Sequence, residues 1–92
     1  MNKKKLIIVR RKIDNLDVNI LNLIKKRMLL VKKMIKIKKF KRQIVDKKRE
    51  KIILKNIKRK SLNKKIDPII TEKIWKSMIS SFADYQRRNF KK

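Results

Sequence analysis

The feature that most constrains the fold is an unbroken helical pattern at the start of the chain. From about Lys4 to Lys39 an apolar residue recurs every three or four positions, and no Gly or Pro interrupts the run. At about 1.5 Å per residue such a helix is roughly 50 Å long. A compact domain of 92 residues has a radius of gyration of only about 12 Å, so the helix overruns a monomeric globule. We therefore expect a second copy to cover its apolar face, most simply in an intertwined homodimer.

Two cations interrupt this apolar face. At about 100° per residue the face comprises Leu6, Val9, Ile13, Leu16, Ile20, Ile24, Val31 and Ile35. Arg27 and Lys38, eleven residues apart, fall among these positions. Because a buried charge is costly without a partner, each needs a buried counter-charge or an anionic ligand. The two cations are therefore the first candidate binding residues.

Two further helices follow. The pattern breaks between Phe40 and Ile44, and the spacing predicts a second helix from about Val45 to Lys60 and a polar loop from Ser61 to Ile66. Asp67 before Pro68 predicts the start of a third helix, because Asp caps free amides and Pro suits the first helical position. One face of this third helix carries Thr71, Trp75, Met78, Ile79, Phe82 and Gln86. The sequence predicts a single all-α domain, residues 1–92, of three helices.

Composition narrows the chemistry. The chain has no Cys and no His, which excludes disulfides, thiolate catalysis and the commonest metal ligand, and we expect neither a metal nor a cofactor. The net charge of +25 suggests nucleic acid or an anionic membrane surface. However, Lys, Ile and Asn supply 47 of the 92 residues, a bias that AT-rich codons alone produce. Much of the charge is then background, and binding to nucleic acid is not the expected function.

No targeting or membrane segment is expected. Between Met1 and Lys12 only four apolar residues, Leu6 to Val9, precede a basic run, too few for a secretory signal. No run of 18 apolar residues occurs. The expected location is the cytoplasm.

Acidic residues on the second helix are unexpected in so basic a chain. Asp46 and Glu50 are four residues apart, on a predicted inner stripe that also includes Arg49, Ile53 and Ile57. One interpretation is a buried ionic cluster with Arg27, Lys38 or Arg49. The other is a polar cavity of carboxylates and cations, suited to a small ligand that carries anionic groups and a hydroxyl.

Three stretches of the sequence together resemble the all-helical chorismate mutase family. The first runs from Arg10 through Ile13, Asp14, Leu16, Asp17, Ile20, Leu21, Leu23, Ile24 and Arg27 to Lys38. The second is Asp46-Lys47-Lys48-Arg49-Glu50, which resembles the family's Asp-x-x-Arg-Glu motif. The third runs from Trp75 to Gln86. The resemblance covers nearly the whole chain.

The resemblance implies an isomerase that converts chorismate to prephenate by a Claisen rearrangement, in the biosynthesis of Phe and Tyr. It also implies an intertwined homodimer with two active sites. Lys38 and Gln86 would donate hydrogen bonds to the ether oxygen of the substrate, and Arg27 would bind a carboxylate. Arg10 would reach a carboxylate from the partner subunit.

The remaining site residues follow from the same motifs. Asp46 and Glu50 would contact the ring hydroxyl of the substrate and lie close to Lys38, and Arg49 would support carboxylate binding. At the position four residues before Gln86, where family members often carry a small hydroxyl residue, this chain has Phe82. Ser81 could replace that hydroxyl only if the helix rotated or slipped.

Two other functions stay open. Isochorismate pyruvate lyase activity, a related activity on the same fold, is the enzymatic alternative, and parallel assays with both substrates would separate the two. A small basic helical protein that binds nucleic acid would account for the charge, but inward-facing acids would repel phosphate. Neither alternative requires a membrane.

Overall fold

Three helices build the chain in a computed structural model that describes residues 2–91. Helix α1 spans Lys3–Ile37, α2 spans Lys47–Asn63 and α3 spans Pro68–Asn89. A short 3-10 turn at Lys41–Gln43 lies between α1 and α2. Residues 2–91 contain no strand, so the predicted all-α class with a very long first helix is confirmed. In this range no helix has both the length and the apolarity needed to cross a bilayer.

Helix α1 ends two residues before the predicted Lys39 because a side chain takes over its following amides. The Gln43 Oε1 atom accepts hydrogen bonds from the backbone N–H groups of Lys39 and Phe40, at 2.8 and 2.9 Å. These amides therefore turn toward the 3-10 turn rather than continuing the helix. A period-based prediction follows apolar positions only, so it misses this local competition.

Helix α2 begins and ends later than its pattern predicted. It begins at Lys47, and Ser61, predicted in a loop, is a buried helical residue. The Ser61 hydroxyl lies 2.6 Å from the carbonyl oxygen of Ile57, to which it donates, and 2.8 Å from the Thr71 hydroxyl. The predicted start of the loop at Ser61 was therefore wrong, because these hydrogen bonds satisfy a polar side chain between α2 and α3, whereas residues 64–66 lie outside the helices as predicted.

The end of α2 is a Schellman motif built without glycine. Lys65 has a φ of 59°, in the left-handed region that Gly usually occupies. The N–H of Ile66 donates to the carbonyl of Ser61 at 2.8 Å, and the N–H of Lys65 donates to that of Leu62 at 3.2 Å. This chain has no Gly, so a lysine holds the strained position.

Helix α3 begins as predicted. Pro68 is the first helical residue, and the Asp67 carboxylate accepts a hydrogen bond from the N–H of Ile69 at 2.9 Å. The cap and the proline satisfy the helix start by the mechanism that the sequence indicated.

Contacts divide the chain into two units, one up to Leu30 and one from Val31. Within residues 2–30 no residue is buried, although most of the predicted apolar face lies there. The most exposed apolar side chains of this unit are Leu16, Leu21, Leu23 and Leu30. The first unit thus has no core of its own.

The second unit is a pair of packed helices. Helix α2 packs against α3. Its few buried residues are Val31, Ile44, Ser61, Thr71, Ala83 and Gln86. Half of these are polar, and the side chains of Ser61, Thr71 and Gln86 each form a hydrogen bond, as buried polar groups usually do. Single-domain organisation and the dimer stay predictions.

The left-handed Lys65 provides a stability test. Lys65→Gly should raise the free energy of unfolding by about 0.5 to 1 kcal/mol, because Gly removes the steric cost of the left-handed conformation. Lys64→Gly is the matched control, since Lys64 has a φ of −92°, and this change should destabilise the fold. Urea unfolding followed by circular dichroism at fixed protein concentration measures both. Equal destabilisation by both changes would contradict this assignment.

Candidate active site

One hydrogen bond connects Lys38, just past the end of α1, with Gln86 on α3. The Lys38 Nζ atom donates to the Gln86 Oε1 atom at 2.8 Å. Gln86 is buried, with 6% of its surface exposed, and Lys38 is half-buried. An ammonium group can only donate, so the amide oxygen faces it and the amide NH2 group is left to donate elsewhere. The pair thus offers donors from both residues to a third group.

Burial alters the acidity of Lys38. Loss of solvent lowers its pKa from the ordinary value of 10.5, and the negative charge of Asp46 partly opposes this effect. The structure therefore brings Lys38, Gln86 and Asp46 into one neighbourhood, as their predicted roles require.

Asp46 and Arg49 are exposed in this chain, so their predicted place on an inner stripe was wrong. Asp46 precedes α2 and caps it, accepting a hydrogen bond from the N–H of Arg49 at 3.0 Å. Asp is one of the strongest capping residues, so its side chain folds back onto the helix start. The later start of α2 is the cause.

Glu50 keeps its predicted inward position. Its side chain is 25% exposed and forms an ion pair with Lys47 at 3.5 Å. Glu50 forms no ion pair with Lys38 or Arg49, two of the three cations of the predicted ionic cluster. Glu50 also lines a pocket of about 330 Å³ between α2 and α3, together with Val45, Lys47, Leu54, Lys76, Ile79, Ser80, Ala83 and Arg87.

Sequence reasoning missed most of this pocket. Lys76, Ser80, Ala83 and Arg87 share one face of α3 at intervals of three and four residues. That spacing was readable, but cations are so frequent here that Lys76 and Arg87 carried little signal. Lys38 and Gln86 are not among the lining residues, so the pocket and the Lys38–Gln86 pair are separate features of the second unit.

The other candidates have different surroundings. Arg10 is exposed and Arg27 half-buried, both on the part of α1 that belongs to the first unit. Phe82 is half-buried, one turn before Gln86 on α3. Ser81 is exposed and lies about 140° around the helix from Gln86. Helix α3 is continuous here, so Ser81 and Phe82 lie on different parts of its surface, and a role of Ser81 in substrate binding stays a prediction.

In this all-α chain a half-buried ammonium and a buried carboxamide thus lie within hydrogen-bond distance of each other. The family model for chorismate mutase type II matches residues 9–87. This match covers over four fifths of the chain, which belongs to the chorismate mutase type II family. The resemblance inferred from the sequence motifs is thereby confirmed. Comparisons with curated proteins and with solved structures gave no match.

Titration of Lys38 tests the geometry of the site. Its pKa should lie below 10.5, because burial disfavours the charged form. Asp46→Asn should lower the pKa further, since it removes the opposing negative charge while Asn still caps α2. Carbon-13 NMR of the lysine Cε atoms, assigned with Lys38→Arg, measures this pKa.

Glu72→Gln is the matched control for that titration. Glu72 pairs with Lys76 on α3 at 2.8 Å, whereas the charge that opposes the effect of burial on Lys38 is that of Asp46. The Lys38 pKa should therefore stay unchanged in this variant. An unchanged pKa in Asp46→Asn would contradict the proximity of Asp46 and Lys38.

Proposed function

We propose that this protein is a chorismate mutase, an isomerase that converts chorismate to prephenate in the biosynthesis of Phe and Tyr. Family membership supports the reaction. The observation that carries the proposal for this chain is the hydrogen bond of 2.8 Å from Lys38 to Gln86. It joins the two residues that the family resemblance assigns to the ether oxygen of the substrate.

The reaction suits the chemistry of this chain. In a Claisen rearrangement a carbon–oxygen bond breaks as a carbon–carbon bond forms within the same molecule, and no proton or group leaves. The enzyme must hold a flexible dianion in a reactive shape and stabilise negative charge on the ether oxygen. Neither task needs the His or Cys side chains that this sequence lacks.

Lys38 and Gln86 are the proposed catalytic donors. The ether oxygen gains negative charge as its bond to carbon breaks. The remaining N–H groups of Lys38 and the amide N–H of Gln86 can both donate to it, because their mutual hydrogen bond uses only one donor. Burial of Gln86 fixes this donor before the substrate arrives, the property on which electrostatic catalysis depends.

The acidic residues are the proposed hydrogen-bond acceptors for the ring hydroxyl of the substrate. Glu50 is the stronger candidate, because its side chain is only 25% exposed, whereas the exposed Asp46 caps α2. Asp46 acts on Lys38 by its charge, which keeps the ammonium protonated over a wider pH range. Arg49 supports the carboxylates from the exposed start of α2.

The guanidinium groups of Arg27 and Arg10 are the proposed carboxylate ligands. A planar guanidinium can bind a carboxylate through two parallel hydrogen bonds. Phe82 offers no hydrogen bond where family members often have a hydroxyl, so we expect substrate affinity to rest more heavily on these arginines.

A second copy of the chain completes the proposed enzyme. Residues 2–30 bury no side chain, and Ile13, Leu16 and Ile20 are about half exposed. Apolar surface on this scale favours association, at about 25 cal/mol per Å² removed from water. We propose an intertwined homodimer in which Arg10 of each subunit binds the substrate of its partner.

Loss of the Lys38 donor should slow the chemical step. Lys38→Ala should lower kcat by about 100- to 1000-fold, the usual cost of one preorganised donor. Lys39→Ala is the matched control, because it removes the same charge from an adjacent exposed lysine. Steady-state kinetics with chorismate compare the two variants. Similar kcat values for both would contradict the catalytic role of Lys38.

Mixing two inactive variants tests whether Arg10 acts across subunits. In a heterodimer of Arg10→Ala and Lys38→Ala chains, one site would keep both residues and the other would lose both. Random exchange makes half of the dimers hetero, so about a quarter of wild-type activity should return. If Arg10 acts within its own subunit, mixing restores nothing.

A further inference from the structure

The solvent-facing side of α2 carries a row of cations that the proposed reaction does not use. Lys48, Lys51, Lys55 and Arg59 follow one another at intervals of three and four residues, so they share one side of the helix. All four are exposed. At about 1.5 Å per residue they extend over about 16 Å along the helix axis. These four residues are called the α2 cationic row.

The four cations of the α2 cationic row are not paired with carboxylates within residues 2–91. Three ion pairs of the second unit are formed by Lys47, Lys76 and Arg87, and none of the three includes a member of the row. The one acidic residue within α2 is Glu50, which pairs with Lys47. By contrast, Glu72 and Asp84, the acids of α3, each pair with a cation of their own helix. The row is thus a line of exposed positive charges on one side of α2 that no ion pair among the described residues offsets.

We propose that the α2 cationic row binds the phosphate backbone of duplex nucleic acid without regard to sequence. A duplex presents one negative charge per about 1.7 Å of its axis, so a row about 16 Å long faces several phosphates at once. Exposed lysines and arginines can neutralise phosphates and release their counterions.

Two other anionic partners fit the row less well. Helix α2 contains no aromatic residue, so it lacks the stacking platform that single strands use. An amphipathic helix that binds a membrane inserts an apolar face. In α2 the apolar residues Ile53, Leu54 and Ile57 are only partly exposed, and α2 packs against α3. Ile52 and Leu62 are exposed, but two separate side chains do not form a continuous apolar face. A duplex needs neither feature.

The experiment compares two variants of equal net charge in the full-length protein. The first is Lys48→Gln, Lys51→Gln, Lys55→Gln and Arg59→Gln combined. The control is Lys4→Gln, Lys26→Gln, Lys33→Gln and Lys73→Gln combined, four exposed lysines that lie outside α2. Fluorescence anisotropy with a labelled DNA duplex of about 20 base pairs measures affinity from 50 to 200 mM salt.

The row predicts a specific salt dependence. Four phosphate contacts contribute a slope of about −3.6 in log affinity against log salt, or about 150-fold in affinity over this range. Removing the row should abolish that part of the slope, while the control should change it by less than one unit. Both variants should retain helicity and chorismate mutase turnover, since neither alters a proposed site residue.

Three outcomes would overturn the proposal. Equal loss of affinity in the two variants would show that binding follows net charge alone. The absence of duplex binding by the wild-type protein at 50 mM salt would rule out duplex nucleic acid as the partner of the row. Binding to phosphatidylserine vesicles without binding to the duplex would assign the row to a membrane surface. Mutase activity is measured separately, so its absence would leave this result interpretable.

Discussion

The hydrogen bond between Lys38 and Gln86 is the interaction on which the candidate site depends. It places a cation from just past the end of α1 against a buried amide of α3, at 2.8 Å. Burial removes part of the solvation of the Lys38 ammonium group and so lowers its pKa. The negative charge of Asp46 partly opposes this shift. A polar pair in so small a core contributes little to stability by itself. Its value lies in fixing two donors before a ligand binds.

Much of the fold could be predicted from residue spacing. The period of 3.6 located three helices, and Asp67 with Pro68 marked the start of α3 because each residue acts through its own chemistry. Errors arose where a side chain competes with the backbone or with the apolar pattern. Gln43 ends α1 early by accepting from two amides, and Ser61 remains helical by bonding to Ile57 and Thr71. Spacing does not encode such hydrogen bonds.

The site was predictable where a polar residue interrupts an apolar face. Lys38 and Gln86 each stood on such a face, and the structure joins them. Asp46 was misplaced because the same side chain suits both an inner face and a helix cap, and the cap prevailed. The residues that line the Glu50 pocket were not predicted, because lysines and arginines are so frequent in this sequence that Lys76 and Arg87 did not stand out. The proposed role of Arg10 requires a second chain, so one chain's spacing could only suggest it.

The most direct test of the central claim is a product assay with the purified protein. Loss of chorismate is followed by absorbance, and the product is identified by proton NMR, with isochorismate as the parallel substrate. The account predicts that chorismate is consumed faster than in buffer and that prephenate is the product. Contradiction would come from a rate no higher than background in a helical, folded protein. Turnover of isochorismate alone would assign the site to the lyase reaction instead.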